Sequence, residues 1–354
     1  MWLTTLKKID GRLKIKMEEY VFDQDYQEDK FLLFEFPSEE FLQGVLKGDT
    51  KIEFVSNEKD PIVLCTEQKT YDILEFDTSN ILLICDEQYV LSGNTSTFEL
   101  RDKQPPFLLF RRMMHAAPIT VSEIKGETIE NPIYFDDLAK NTLCSKNEFN
   151  QILTDICAIT VGRILKTPPK DLKDLIINQV LQYSRTVDDW RCINQEKCLE
   201  AINIPFIEYP VMKSIYYAVV KYYAFEIKDD EVVLDEKKVM RHIAEYAFKN
   251  ARNGFISKND FEREMDDHLP TGTKLNKELL YGMFVTKDRG YQYIDEETLP
   301  IDLIERFNEL FRIHEQWEVH EIEPFFEYFI TDSLPFIDLA ARHCRFANGK
   351  WMHR

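Results

Sequence analysis

Three times from about residue 130 onward this chain runs from amphipathic helices into a short glycine-containing hairpin, and that recurrence limits the available folds more than any other feature. The last run is the clearest. Ile304, Phe307 and Phe311 stripe one helix, and Trp317, Ile322, Phe326 and Phe329 predict a second that Pro324 bounds or kinks. Ser333 is placed to cap a third helix, with Pro335 in its first turn and Leu334, Ile337, Ala341 and Cys344 as its buried stripe. Asn348-Gly349 then sits between short apolar flanks, the strongest short-range hairpin signal there is. Three helices and a terminal hairpin predict a winged helix, a variant of the helix-turn-helix.

The earlier runs follow a related order. Ser145 and Glu148 have capping-box spacing ahead of Phe149, Ile152, Leu153 and Ile156. A hairpin around Gly162-Arg163 follows, then a helix through Leu172, Leu175, Ile176 and Val180. Helices through Met212–Val219 and Lys237–Lys249 come next, then two short ones at Phe261–Leu269 and Leu275–Tyr281, and a hairpin about Lys287–Gly290. The expected modules are 126–190, 195–298 and 299–354.

Residues 12–115 carry a different pattern. Short apolar runs at Lys30–Phe36, Lys51–Val55, Pro61–Cys65, Tyr71–Phe76 and Asn80–Cys85 read as strands. Turns are expected at Gly48-Asp49, Asp60-Pro61, Ser79-Asn80 and Gly93-Asn94. Such a set predicts a partial barrel, and a small sheet with open edges invites strand pairing from another chain. The fold class is therefore α+β: a β-rich front followed by winged helices. Between the halves, 101–125 sets Arg101, Lys103, Arg111, Arg112 and Lys125 against Asp102 and Glu123 only.

With 25 Phe and 16 Tyr in 354 residues the chain is not of disordered composition. Its formal net charge of −19 repels nucleic acid as a whole, so any such contact needs a local basic patch. Seven scattered cysteines without C-x-x-C argue against a disulfide framework or zinc finger and for a reducing compartment. No apolar run has membrane-helix length, and Met1–Lys16 lacks the apolar core of a signal peptide.

The residues carry no catalytic constellation. Phosphate-loop, dinucleotide-binding, nucleophile-elbow and H-E-x-x-H patterns are all missing from the sequence. His314 and His320 read as surface or packing residues, Asp266-Asp267 and Glu296-Glu297 as solvated acid pairs, and neighbouring His343 and Cys344 point apart on a helix. No catalytic residue, cofactor or metal is expected. The informative charge lies at the C-terminus, where Arg342, Arg345, Lys350 and Arg354 face a single acid, Asp338. Arg342 and Arg345 on a third helix and Lys350 at the wing tip form a candidate DNA-binding set. Arg163 and Lys166 on the first hairpin could meet DNA or a protein.

Several motifs together resemble one family. Val63–Tyr71 (VLCTEQKTY), Asp77–Asn80 and Leu82-Leu83 match an L-C-x-x-x-K-T-Y … T-S-N-x-L-L pattern. Gly162–Leu165, Arg306–Phe311 with Trp317, Glu321-Ile322 and Pro324, and Asn348–Lys350 with Arg354 continue it in order. They are similar to the "defective in sister chromatid cohesion" family, subunits of the alternative replication factor C clamp loader. That resemblance implies a front domain that forms a composite barrel with the small and large chromosome-transmission-fidelity subunits, and it assigns Thr70, Tyr71, Thr78, Ser79 and Asn80 to that shared barrel. It also implies three winged helices that reach the catalytic subunit of DNA polymerase epsilon and DNA, indirect action on the PCNA clamp, ATP hydrolysis left to other subunits, and a nuclear location. Glu318 stands where the family usually has Thr after the tryptophan.

The expected function is a non-enzymatic adaptor in DNA replication and sister chromatid cohesion. The alternative is a stand-alone winged-helix transcription regulator, which needs a basic recognition helix in every module.

Overall fold

The computed structural model describes residues 2–9, 12–57, 60–87, 89–129 and 132–354, with side chains described from Tyr20 onward. The architecture is mixed α+β, with thirteen α-helices and several small sheets among the described residues. The chain divides into two compact units: Met1–Lys103 with Leu143–Ser145, and Gln104–Thr142 with Lys146–Arg354.

In the first unit β1 (Trp2–Ile9) and β2 (Arg12–Glu19) form an antiparallel pair. Then come β3 (Val21–Glu28), β4 (Phe34–Glu35), α1 (Glu39–Lys47), β5 (Glu53–Val55), β6 (Val63–Cys65), β7 (Thr70–Asp86) and β8 (Tyr89–Asp102). The main sheet runs β3-β8-β7-β6-β5, with β3 and β4 both parallel to β8. It is an open path: among the described residues no strand closes β3 onto β5. The core is small, with Leu64, Tyr71 and Leu100 under Phe34, Phe36 and Phe41, and Leu143 packed on Val63 and Cys65. The Ser145 backbone N–H donates to the Thr70 hydroxyl at 2.7 Å, tying Leu143–Ser145 into this unit.

Three local expectations fail here. Ser79-Asn80 is no turn between strands but an irregularity inside the seventeen-residue β7, where register shifts between Asp77 and Leu82. The Thr78 hydroxyl donates to the carbonyls of Asn80 and Thr95 at 2.6 and 3.0 Å, which satisfies the bulged backbone. Gly93-Asn94 lies within β8 and is buried, since Asn94 donates to the Phe31 carbonyl and a Cβ on Gly93 would meet the Tyr26 hydroxyl at 2.9 Å. Finally, α1 occupies a stretch with no expected helix. Ser38 caps it by accepting from the Phe41 N–H at 3.1 Å, and Gly48 ends it at φ 79°.

The second unit is one topology used four times. The first block has α2 (Phe107–His115), α3 (Val121–Ile124), β9 (Ile133–Tyr134), α4 (Phe135–Asn141), α5 (Lys146–Asp155), β10 (Ile159–Val161) and β11 (Ile164–Lys166). The second has α6 (Lys170–Ser184), β12 (Cys192–Asn194), α7 (Gln195–Ala201), α8 (Pro210–Tyr223), β13 (Ala224–Lys228) and β14 (Glu231–Leu234). The third has α9 (Glu236–Lys249), β15 (Phe255–Ser257), α10 (Lys258–His268), a 3₁₀ turn at Lys277–Leu280, β16 (Phe284–Lys287) and β17 (Gly290–Tyr293). The fourth has α11 (Leu303–Ile313), β18 (Gln316–Trp317), α12 (Val319–Ile322) running into 3₁₀ turns at Glu323–Phe329, α13 (Phe336–His343), β19 (Cys344–Ala347) and β20 (Lys350–His353).

In every block the lone early strand pairs antiparallel with the last strand of the hairpin, giving orders β10-β11-β9, β12-β14-β13, β15-β17-β16 and β18-β20-β19. The stretch 195–298, expected as one module, carries parts of two blocks. The hairpin β13–β14, which was not expected, turns on Asp229 at φ 52° and contains no glycine. A continuous core through the first three blocks includes Ile176, Ile215, Tyr216, Met240 and Phe261, and Trp317, Phe325 and Phe326 centre that of the fourth.

Candidate nucleic-acid interface

The last hairpin forms as its residues dictate. Asn348 and Gly349 take φ 52° and 77°, the left-handed pair of a tight hairpin turn, with Ala347 opposite Lys350. The helix before it is set differently from its expected stripe. Phe336, Leu339 and Ala340 are buried, whereas Ile337 is 60% exposed. Both sets have helical spacing; Phe336 wins because its ring meets Phe326 and Trp351 at 5.7 and 6.1 Å. Trp317 belongs to strand β18 rather than to a helix, opposite Trp351. Ser333 does not cap α13; Pro335 holds that position, and the Ser333 hydroxyl is 3.1 Å from that of Thr331. Glu318 opens α12 with its N–H donating to the Glu321 carboxylate at 3.4 Å.

Arg342 sits exposed in the last turn of α13, and Arg345 is exposed on β19 rather than on the helix. Arg354 donates to the Ala341 carbonyl at 2.9 Å, which satisfies the end of α13 and brings it beside Arg342. Lys350 lies at the hairpin end, 3.9 Å from the Glu318 carboxylate. Helix and hairpin thus present a cationic face on which Arg342 and Arg345 make no ion pair among the described residues.

The other sequence-picked residues are scattered. Arg163 is exposed at the β10–β11 turn, but Lys166 is buried and ion-paired to Glu123 at 3.0 Å, so its charge is spent inside the first block. Thr70 and Tyr71 are buried in the first unit, while Ser79 and Asn80 are exposed on the β7 irregularity. His314 and His320 form no pair: Lys287 donates to His314 Nδ1 at 3.2 Å, and the His320 ring lies tilted against Tyr281, centroids 4.6 Å apart. Burial pushes the Cys344 thiol up to about 12, and His343 stacks on Phe307 instead.

Sequence reading missed two cavities of the second unit. One, of about 720 Å³, has Tyr222, Tyr223, Tyr293 and Tyr328 in its wall, along with Lys170 and Glu245 paired at 2.6 Å. A smaller one adjoins Arg306, which is fully buried in the middle of an apolar helix stripe. A charged residue in that stripe was the available signal. Among the described residues no group of three or more His, Cys, Asp or Glu side chains could hold a metal, and no helix is long and apolar enough to cross a membrane.

The chain thus joins an open sheet to four helix–hairpin blocks of one topology. Comparison with known proteins narrows this. The family model for sister chromatid cohesion protein Dcc1 matches residues 31–326. The chain is 24% identical to the probable sister chromatid cohesion protein DCC1 of Dictyostelium discoideum over 86% of its own length and 87% of that protein. It is 24% identical to the Danio rerio sister chromatid cohesion protein DCC1 over 97% and 95%, and 22% identical to the Homo sapiens protein over 75% and 73%. The chain belongs to the sister chromatid cohesion protein Dcc1 family.

Proposed function

We propose that this protein is a non-catalytic adaptor of the alternative clamp loader, working in the nucleus in DNA replication and sister chromatid cohesion. Its four helix–hairpin blocks are winged helices in this reading, since each runs from helix to one strand, then two further helical segments and a hairpin whose last strand takes the first as neighbour. The fourth block meets DNA through Arg342, Arg345, Lys350 and Arg354, by phosphate contacts without sequence preference. The first, with Arg163 at its turn, docks the catalytic subunit of DNA polymerase epsilon.

The open front sheet carries the adaptor reading. Its outer strands are β3, of eight residues, and β5, of three, and Val21, Phe22 and Phe54 are about half exposed on them. Unpaired strand edges with apolar side chains take strands from other chains. The large and small chromosome-transmission-fidelity subunits would complete the barrel there, with Thr78, Ser79 and Asn80 on the adjoining irregularity and Thr70 and Tyr71 shaping the fold. PCNA is reached through that assembly.

Hydrogen exchange on the full chain, alone and co-expressed with those two subunits, tests this. Amides of β3 and β5 should exchange much more slowly in the complex. Failure to co-purify, or unchanged exchange in both strands, favours the stand-alone winged-helix regulator.

A further inference from the structure

We propose that the second unit holds an oxyanion site, walled by Arg111, Arg112 and Arg306 and sized for one phosphate or sulfate. It lies among α2, the residues just before α11, and α11 itself, around a cavity of about 130 Å³. A water occupies roughly 30 Å³, so this space suits an ion of several heavy atoms better than a lone solvent molecule.

Arg306 supplies the main reason. Its side chain is wholly buried. Nε donates to the Pro300 carbonyl at 2.8 Å, Nη1 donates to the Phe325 carbonyl at 2.7 Å, and the group lies over the Phe329 ring. Its Nη2 has no acceptor among the described residues. A buried guanidinium with an unmade hydrogen bond is costly, and an anion is the partner its planar fork fits best.

The neighbouring carboxylates do not fill that role. Both oxygens of Glu296 accept from Arg111, at 3.1 and 3.3 Å, leaving Glu296 3.6 Å from Arg306 Nη1. Glu297 also faces the cavity, with an oxygen 3.8 Å from His115 Nδ1. Arg112, exposed at the mouth, makes only a long 3.5 Å contact to the Leu299 carbonyl. Arg112 and Arg306 Nη2 therefore have no carboxylate partner among the described residues, and one bound anion supplies it. Burial lowers the Arg306 pKa, Glu296 opposes that change, and Arg111 adds to it, so an anion would relieve a charge held at a cost.

The site stands apart from the adaptor reading and is tested on the full chain. Calorimetric titration with inorganic phosphate, at constant ionic strength in chloride, should show one saturable site. Arg112→Gln, at the exposed mouth, should weaken it about tenfold through loss of one charge-assisted bond. Arg306→Lys should abolish it; if that variant misfolds, Arg112→Gln decides alone. Phenyl phosphate separates two sources of the anion: equal binding means the site accepts a phosphate monoester, and exclusion means it takes the free ion. Absence of saturable phosphate binding, or equal binding by native protein and Arg112→Gln, overturns the proposal. So does a phosphate-grown crystal showing only water at Arg306 Nη2.

Discussion

Lys166 and Glu123 meet at 3.0 Å with both side chains almost completely sealed from solvent. Glu123 also accepts from the Thr120 N–H at 2.8 Å, closing the capping box at the start of α3. Burial alone would raise the Glu123 carboxyl, but the Thr120 and Lys166 hydrogen bonds and the Lys166 charge outweigh it and hold it below the usual range.

Removing one partner strands the other. Glu123→Ala should destabilise the native chain by about 3–5 kcal/mol, because it leaves a buried ammonium unpaired. Paired with Lys166→Met it should cost markedly less. A loss below about 1 kcal/mol in urea unfolding of the single variant would refute this. The pH dependence has a fixed sign. A depressed folded pKa gives stability that is complete above the unfolded value, about 4.3, and is lost as pH falls through the folded one. The fall of stability with pH below about 4.3 should therefore be steeper in the wild type than in the double variant, which lacks this proton-linked step.

Gly290 opens β17, where a Cβ would run into the Ile256 carbonyl oxygen of β15. Gly290→Ala should cost about 1–3 kcal/mol by forcing the two strands apart. Faster amide exchange at Phe255–Ser257 is the matching signature, and unaltered protection there would contradict the close approach.

Phe326 is wholly buried and stacks on Phe307 with ring centroids 4.0 Å apart. Phe326→Ala should destabilise the fourth block by about 3–5 kcal/mol. Denaturant unfolding followed by Trp317 and Trp351 fluorescence would register it, and an unshifted midpoint would mean the core there is not continuous.

On the proposed DNA face, Arg342→Ala with Arg345→Ala should weaken binding evenly across sequences. It should also flatten the salt dependence by nearly two phosphate contacts, a slope change of about 1.8. Anisotropy titrations of a duplex at several salt concentrations read both quantities. An unchanged slope removes the two arginines from the interface.

Much of the second unit was legible because its signals are local. The stripe of Phe307 and Phe311 and the Asn348-Gly349 turn each act within a few residues. The second hairpin stayed hidden because two aspartates turn it. In the front region, Gly93-Asn94 carries turn chemistry, yet tertiary partners hold it inside a strand.

By itself, then, the sequence determined most helices of the second unit and its three glycine-containing hairpins, since backbone preference and side-chain period are set by neighbours along the chain. Only the tertiary structure decided which stripe of α13 turns inward, which strand each hairpin accepts, and that Lys166 and Arg306 are interior charges. Those outcomes depend on packing volume and hydrogen-bond partners far away in the chain, such as Trp351 for Phe336 and Phe325 for Arg306, and no local pattern encodes them.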